Sequence, residues 1–457
     1  MDVSVFSMPT IPATLEERRA LRPIGRNTER YQMFLTELRN IATLIDDLGF
    51  TAFSTTEHHF HSEGGEAMPN PLMLYTDLAA RTKRLKFMPM SIVASADDPI
   101  RIAEDIALFD QITQGRLAGV CFARGYQKRW IDILSQGHRT ALITETSDKT
   151  NREVFDEHLE VISRALSKDS WDFNGKHYQV PFPHETGLAD YAGARWTRQF
   201  GSEDEVDGQG IVRKIGVTPP PYQRPTPRFA VPFTMSPRTL HDAARKGWLC
   251  IMYESHHEKF LGYLKEYQRI AAENGHELGL GERCGATRSI CIGDTYDEAF
   301  EKATKTVAFE FHNYFNLFGQ GEMFRLPSDP PDQIVMFKDV EEGAQRLIDF
   351  GHLICGTPDD VRDQLVDLSR CYSDGHLDWL TWQFYPQGTL PRAEQEKELR
   401  MFAEQVLPTL KAEGKRRSPT ESTPVDVNAP AGGEWVFDGP GPAGLDGPSR
   451  SAGQGLS

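Results

Sequence analysis

The feature that most constrains the fold of this chain is a regular alternation of short apolar runs with longer amphipathic segments. The short runs read as strands, and the apolar residues of the longer segments recur close to the helical period. Strand, helix and short linker in this order are typical of parallel βαβ units. Eight strands are predicted, near residues 2, 50, 85, 117, 228, 248, 288 and 378. Eight βα units predict a closed (β/α)8 TIM barrel, an α/β fold.

Two irregular insertions account for the excess of this 457-residue chain over the roughly 250 residues of a typical barrel. The first, Ser170–Pro227, is rich in Gly, Pro, aromatic and charged residues. A loop of this length inside a compact domain is often functional, so we expect it to lie over the active-site face and to line the substrate site. The second, Gly319–Gly356, follows a long predicted helix, Tyr296–Phe318.

Composition narrows the function classes. The formal net charge of −16 argues against a nucleic-acid partner, because such proteins usually present a basic face. No apolar run reaches the roughly 18 residues of a membrane helix, and no signal peptide is predicted. The six cysteines lack CxxC spacing, which favours reduced thiols in a cytoplasmic protein over a zinc or redox motif. Beyond residue 413 apolar residues are almost absent, so we predict a barrel domain over 1–413 and a disordered tail over 414–457.

The densest polar cluster follows the second predicted strand and comprises Glu57, His58, His59 and His61. Imidazole moves protons near neutral pH, and barrels keep their chemistry at the carboxyl ends of strands. Proton transfer is therefore one interpretation. A metal site is a second, although adjacent histidines at a strand end point in opposite directions. A polar loop whose histidines satisfy backbone groups is a third.

Two further groups follow strands four and five. Arg124 and Arg152 could clamp a phosphate bidentately, or they could be ordinary surface charges. Ser236 stands where the N-cap of a helix is expected, with Thr239 one turn on, and a helix N-terminus binds anions readily. Its alternative is an ordinary cap. A barrel mouth that holds a phosphorylated cofactor beside a histidine fits all of these groups, and the absence of GxGxxG after a strand disfavours a Rossmann fold.

Taken in order and spacing, several motifs resemble the bacterial luciferase-like family of flavin-dependent monooxygenases. The resemblance runs from about Leu35 to Lys411. It is carried by Glu57-His58-His59-Phe60, Asn70-Pro71, Leu78-Ala79-Ala80-Arg81-Thr82, the segment Pro99 to Asp110, Gly115-Arg116-Leu117, Arg124-Gly125-Tyr126, Asn151-Arg152, Ser236-Pro237, Gly356-Thr357-Pro358 and the segment Phe402 to Pro408.

The resemblance implies a barrel that binds FMN, or in one branch the deazaflavin F420, at its mouth. By position it assigns His58 as the catalytic histidine with Glu57 and His59 beside it, and Met90–Ser91 as a non-proline cis peptide behind the flavin ring. It assigns the phosphate ligands to Arg124, Arg152, Ser236 and Thr239. The reactive cysteine of true luciferases has no secure counterpart, since Cys121 is near but shifted, so no light emission is predicted.

The function that the resemblance implies is monooxygenation with reduced FMN and O2 through a C4a-(hydro)peroxyflavin. A separate reductase would supply the reduced FMN, because no NAD(P)H fingerprint is visible. The alternatives are an F420-dependent oxidoreductase and a non-catalytic flavin-binding subunit. A homodimer is a further expectation, to whose interface Ile102, Ile106 and Phe109 could belong, although burial against the chain's own barrel explains them equally well. Substrate does not transfer from the resemblance beyond a small organic molecule.

Overall fold

The computed structural model describes residues 1–125, 127–135, 145–234, 236–384 and 390–415. The strands are β1 (Asp2–Ser7), β2 (Ala52–Thr55), β3 (Lys86–Val93), β4 (Val120–Ala123), β5 (Phe173–Asn174), β6 (Gln179–Val180), β7 (Phe229–Phe233), β8 (Leu249–Met252), β9 (Cys284–Ile292), β10 (Leu353–Gly356) and β11 (Trp379–Phe384). The helices are α1 (Leu15–Ala20), α2 (Thr28–Leu48), α3 (Pro71–Ala79), α4 (Pro99–Thr113), α5 (Lys128–Ser135), α6 (Glu145–Ser167), α7 (Ala194–Phe200), α8 (Pro237–Lys246), α9 (His257–Glu273), α10 (Tyr296–Lys305), α11 (Val307–Asn313), α12 (Val340–Asp349), α13 (Pro358–Ser369), α14 (Arg392–Gln405) and α15 (Leu407–Lys415). Short 3₁₀ helices cover Ile24–Arg26, Phe315–Phe318 and Gln320–Phe324.

Eight of the described strands close into a parallel barrel. Their order around it is β1, β2, β3, β4, β7, β8, β9 and β11, and β11 pairs again with β1. Val5 is in register with Phe53 on one side and with Trp382 on the other, so β1 bridges the first and last units of the chain. The predicted (β/α)8 barrel is confirmed.

β10 joins the same sheet within a range predicted to be irregular. Strand β9 pairs with β8 through Cys284–Ala286 and with β10 through Ser289–Ile292, while β11 occupies its other edge. The prediction that Gly319–Gly356 is irregular is therefore wrong for its second half, which forms α12 and β10. Strand β10 has four residues and follows a helix closely. It therefore lacks the longer apolar run that would indicate a strand in the sequence.

The predicted single helix over Tyr296–Phe318 is also wrong. It is broken at Thr306, whose backbone dihedrals (φ −118°, ψ −93°) are not helical. The Thr306 hydroxyl donates a hydrogen bond to the Lys302 carbonyl oxygen at 2.7 Å, so the side chain competes with the backbone of the last turn. The chain then continues as α11 and a 3₁₀ turn, which redirects the aromatic residues that follow.

Helix starts follow the predicted cap chemistry closely. Helix α8 begins at Pro237 with Ser236 as its N-cap, as predicted. Helix α2 begins at Thr28 and is capped by Asn27, whose side chain accepts a hydrogen bond from the Arg30 backbone at 2.9 Å. At its other end Gly49 adopts φ +79°, a conformation that favours glycine.

The first insertion, residues 170–227 and hereafter the outer insertion, packs on the outside of the barrel. Its Tyr178 hydroxyl donates to Asp98 Oδ2 at 2.6 Å at the start of α4. Its β5–β6 turn donates three backbone N–H groups to the Glu157 carboxylate of α6. Near its end, the Gln223 backbone N–H donates to Asp110 Oδ2 of α4 at 2.8 Å. These contacts hold it along α4, from Asp98 at the start of the helix to Asp110 near its end, and against α6.

The structure also bears on two further predictions, the dimer interface and the disordered tail. Ile102, Ile106 and Phe109 are buried in the chain's own core, which decides between the two interpretations given for them. Residues 414 and 415 end helix α15, and the rest of the predicted tail lies outside the described residues. Among the helices that the structure describes, none is long and apolar enough to cross a membrane.

Candidate active site

Two adjoining cavities open at the carboxyl ends of the barrel strands, the face where barrels of this kind hold their active sites. The larger, hereafter the central cavity, has a volume of about 400 Å³, and the smaller, the arginine cavity, about 260 Å³. They form one recess because both are lined by Ala123, Gly125, Pro232 and Thr234. The predicted site residues divide between them: Glu57, His58, Met90 and Ser91 line the central cavity, and Arg124, Arg152, Ser236 and Thr239 line the arginine cavity.

His58 is held in the central cavity by the loop that follows β2. Its backbone N–H donates to the Met68 carbonyl oxygen at 2.9 Å, and its side chain is buried. The ring lies edge-on to the indole of Trp130, with ring centroids 6.0 Å apart. His58 Nδ1 lies 3.0 Å from Glu66 Oε1. A carboxylate at this distance favours the tautomer with the proton on Nδ1, which leaves Nε2 free of that proton.

Glu66 is a site residue that the sequence did not reveal. It is 1% exposed, and its Oε2 accepts hydrogen bonds from the Tyr314 hydroxyl at 2.5 Å and from Gln127 Nε2 at 2.8 Å. Burial alone would raise the pKa of Glu66, but the charge of His58 and the hydrogen bonds from His58 and Tyr314 hold it below its usual range. The carboxylate is therefore ionised at neutral pH. No local motif marks it, because Tyr314 lies 248 residues further along the chain.

His61, the fourth member of the predicted cluster, has a different environment. Its Nε2 lies 2.8 Å from Gln127 Oε1, and its ring stacks on that of His58 with centroids 5.7 Å apart. Its Nδ1 is 3.9 Å from Glu66 Oε2, beyond direct hydrogen-bond reach. Burial lowers the pKa of His61, so it is neutral at physiological pH.

Glu57 lines the central cavity, but its carboxylate is engaged by the backbone of β3 and by His59. Glu57 Oε2 accepts a hydrogen bond from the Val93 backbone at 3.1 Å, and its Oε1 lies 3.0 Å from His59 Nε2. His59 lines a separate cavity of about 360 Å³ that also contains Asn70 and Asp98. The neighbouring histidines thus diverge, and among the described residues no group of three or more His, Cys, Asp or Glu side chains is arranged to hold a metal ion.

The wall of the central cavity behind these residues contains a cis peptide. The Met90–Ser91 bond is cis, where the resemblance predicts one. Cys121 lies beside it and is fully buried. Burial raises the pKa of the Cys121 thiol, so it is not a reactive thiolate, in agreement with the absence of a secure cysteine counterpart.

The arginine cavity concentrates positive charge. Arg124 Nη1 contacts Asp148 Oδ1 at 2.7 Å. Burial, and then the neighbouring charges of Arg124 and Arg238, lower the pKa of Arg152. Lys246, which the sequence does not mark as a site residue, lines the same cavity, with its ammonium 4.4 Å from the centroid of the Trp248 ring. Three cationic side chains face two carboxylates, Asp156 and Asp242, in this lining, and the excess of positive charge favours an anionic ligand.

Two hydroxyl residues and a helix start complete the arginine cavity. Ser236 and Thr239 line it at the N-terminus of α8. The Ser236 side chain makes no capping hydrogen bond to its own helix, so its hydroxyl is not committed to that role. Guanidinium groups, hydroxyls and helical N–H groups together form a donor set that suits a phosphate.

Part of the apolar wall of the central cavity comes from the segment that follows the helix break at Thr306. Residues 306–339, hereafter the inner segment, contribute Phe315, Phe318 and Met323 to its lining. Trp130 and Tyr253 add to the same lining from other elements. Residues 170–227 are missing from the lining of both the central and the arginine cavities, within the part of the chain that the structure describes. Neither of these two cavities therefore supports the expectation that the outer insertion lines the substrate site.

Comparisons with known proteins agree with this architecture. The model of a family described as luciferase-like monooxygenase matches residues 1–374. The alkanal monooxygenase beta chain of Photorhabdus luminescens is 23% identical over 299 residues, which cover 65% of this chain and 76% of that protein. The chain is a TIM barrel with a histidine and an arginine-lined recess at its mouth. Because the family model covers most of it, the chain belongs to the luciferase-like monooxygenases. Its class is that of an oxygenating oxidoreductase.

Solved structures share the fold. The oxygenating constituent of 3,6-diketocamphane monooxygenase from Pseudomonas putida, a type II Baeyer–Villiger monooxygenase in complex with FMN, superposes with a TM-score of 0.65 at 18% identity, over 89% of this chain and 98% of that one. The coenzyme F420-dependent tetrahydromethanopterin reductase from Methanopyrus kandleri does so with a TM-score of 0.56 at 16% identity, over 90% and 99%. At these identities the likeness concerns the fold alone.

Proposed function

We propose that this chain is the oxygenating component of a two-component flavin monooxygenase. It would bind reduced FMN from a separate reductase and use O2 to oxygenate a small, uncharged organic substrate. The observation that carries the proposal is the single recess in which a buried histidine, paired with a carboxylate at 3.0 Å, stands beside a cluster of arginine side chains.

The residues present fit FMN. Arg124, Arg152, Ser236 and Thr239 would hold the phosphate, and Lys246 would add a further charge at the same place. The central cavity, with the Met90–Ser91 peptide in its wall, would take the ring system. Bound reduced FMN supplies the electrons with which O2 is activated.

His58 is the proposed proton-transfer residue. With Nδ1 directed to Glu66, its Nε2 can donate or accept a proton at the substrate or cofactor. Glu57 would have a positioning role, because its carboxylate accepts a hydrogen bond from the backbone N–H of Val93 in β3. His59, which lines a different cavity, would have no direct part in this step.

The apolar wall indicates the class of substrate. Phe315, Phe318 and Met323 bring aromatic and thioether surface into the central cavity, and its lining contains no lysine or arginine in the described part of the chain. The carboxylates in the same lining are Glu57 and Glu66, which disfavour an anion. A neutral apolar molecule suits this wall, and the same side chains would keep water from the reacting atoms.

Cofactor choice is tested by anaerobic titration of the chain with reduced FMN and, separately, with reduced F420. We expect saturable binding of reduced FMN and weaker binding of F420. The reverse order would favour the F420-dependent hydride-transfer reaction, which the fold shared with the tetrahydromethanopterin reductase leaves as the second candidate. Binding of neither cofactor would overturn the proposal.

A non-catalytic, flavin-binding subunit is the remaining alternative. The buried pairing of His58 with Glu66 argues against it, because a protein that only stores flavin does not need a proton-transfer group beside the ring. A homodimer would be compatible with all of these functions. Leu108 and Ile112 of α4 are 48% and 56% exposed and would be candidates for its interface.

A further inference from the structure

The mouth of the barrel contains a buried network that the proposed function does not require by itself. It joins two side chains of the loop after β2, His58 and Glu66, to Gln127 and to Tyr314. The first three come from the first half of the barrel. Tyr314 comes from the inner segment, which also lines the central cavity.

The two oxygens of Glu66 have separate partners. Oε1 faces His58 Nδ1 at 3.0 Å, whereas Oε2 accepts from Tyr314 at 2.5 Å and from Gln127 at 2.8 Å. Two donors on one oxygen fix the plane of the carboxylate, so the other oxygen has one orientation toward the imidazole. A carboxylate that is held in this way sets the ring orientation and the tautomer of its histidine.

The position of Glu66 is also unusual for an acidic residue. Its backbone adopts φ +46°, a left-handed conformation that non-glycine residues rarely occupy. Its N–H donates to the Thr10 hydroxyl at 3.3 Å. Burial of a carboxylate is costly unless it is paired, and the ion pairs recorded for Glu66 among the described residues are with imidazoles. The charge is thus retained next to a histidine rather than next to a lysine or arginine.

The structure assigns Glu66 as the positioning residue of His58, with Tyr314 as the group that holds Glu66 in place. This assignment rests on the proposed function, since it gives His58 its Nδ1–H tautomer and directs Nε2 to proton transfer. Tyr314 directly precedes Phe315, so the network also connects the apolar wall of the central cavity to His58. A movement of the inner segment when substrate binds would therefore reach Glu66.

The groups around His58 come from several packed elements. They are Glu66 and His61 from its own loop and Trp130 from α5, and Tyr314 of the inner segment reaches this group through its hydrogen bond to Glu66. His61 is neutral because burial lowers its pKa, and it lies 3.9 Å from Glu66. Among the described residues, Glu66 is therefore the ionised group in direct contact with His58.

The test uses the cofactor-free full-length chain with ¹⁵N-labelled histidine. The His58 signal is identified by its loss in His58→Gln, and NMR then reports which ring nitrogen carries the proton. We expect the Nδ1–H tautomer in the wild type. Glu66→Leu should shift His58 toward the Nε2–H form, and Glu66→Gln, which keeps an acceptor oxygen, should restore part of the Nδ1–H signal. Tyr314→Phe should give an intermediate result.

Matched controls separate positioning from stability. Glu63→Gln changes an exposed carboxylate of the same loop, and Tyr31→Phe removes a hydroxyl that bonds the loop at Ala67, 2.8 Å away. Both should leave the tautomer unchanged. In the oxygenation reaction Glu66→Leu should lower turnover by about 10²-fold, the lower end of what general acid–base catalysis contributes, with reduced-FMN affinity retained.

An Nε2–H tautomer in the wild type, or an unchanged tautomer in Glu66→Leu, would overturn the assignment. Should Glu66→Leu fail to fold, Glu66→Gln and Tyr314→Phe decide it, since an unchanged tautomer in both would be contrary to it. The NMR result does not depend on flavin, so a failure of FMN binding would refute the proposed function and leave this measurement interpretable.

Discussion

The two insertions of this barrel differ in where their side chains end up, and the difference is instructive. The outer insertion, residues 170–227, is the longer of the two and is rich in aromatic residues, yet its hydrogen bonds go to Glu157 and Asp98 on the outside of the barrel. The inner segment, residues 306–339, begins at a broken helix and places Phe315 and Phe318 in the central cavity. Length and composition therefore do not locate a functional loop. A functional loop is identified by the side chains that it places in the cavity.

The sharpest way to break this comparison is a pair of histidine substitutions. His58→Ala removes the histidine of the mouth, and His184→Ala removes one from the outer insertion, where it pairs with Asp172 at 2.8 Å. His58→Ala should lower product formation by about 10²–10⁴-fold, the range of general acid–base catalysis, and should keep flavin affinity. His184→Ala should leave both unchanged. Wild-type turnover in His58→Ala would end its assignment as the proton-transfer residue.

Arginine substitutions test the binding half of the recess. Arg124→Ala should weaken reduced-FMN binding by roughly 1–3 kcal/mol, the scale of a hydrogen bond to a charged group. Arg213→Ala, which breaks an ion pair with Asp207 at 2.9 Å in the outer insertion, is its control and should not affect binding. Titrations followed by fluorescence give both affinities. Equal affinities for the two variants would reject the phosphate role of Arg124.

Phenylalanine substitutions test the apolar wall. Phe318 and Phe182 are 40% and 72% exposed, one in the inner segment and one in the outer insertion. Phe318→Ala should admit water, so that bound flavin, after it has met O2, returns to its oxidised form about tenfold faster, an effect of about 1.4 kcal/mol. Phe182→Ala should match the wild type in the same stopped-flow experiment. If both variants or neither changed the rate, the two regions would not differ in the way described.

The smallest effect is expected from Tyr178→Phe. It removes the hydroxyl that bonds Asp98 at 2.6 Å and ties the outer insertion to α4. The free energy of unfolding should fall by about 1–2 kcal/mol, as for a hydrogen bond to a charged acceptor, with turnover unchanged. Denaturant titration and a turnover assay measure the two quantities. A loss of turnover without a loss of stability would give the outer insertion a catalytic role after all.

The parts of the molecule that the sequence predicts are those with local signals. Helical periodicity and short strands identify the barrel, and cap chemistry places the start of α8 at Pro237. The motifs shared with luciferase-like proteins point to Met90–Ser91, where the peptide is cis. Each of these depends on residues that are close together in the chain.

The two missed site residues depend on distant contacts, whereas the missed helix break is local. Glu66 has no motif, since what makes it part of the site is a hydrogen bond from Tyr314, 248 residues away. Lys246 ends an amphipathic helix and reads as an ordinary surface residue until the fold places it in the arginine cavity. The break at Thr306 arises from competition between a side-chain hydroxyl and the helix backbone, which periodicity alone does not reveal.

The central claim is that this recess binds reduced FMN and directs it to react with O2. It is tested most directly by mixing the anaerobic complex of the chain and reduced FMN with oxygenated buffer and following absorbance. The account predicts a transient that differs from both reduced and oxidised FMN, near roughly 370–390 nm, and that persists longer than in free solution. Immediate return to oxidised FMN, at the rate of the free cofactor, would contradict it.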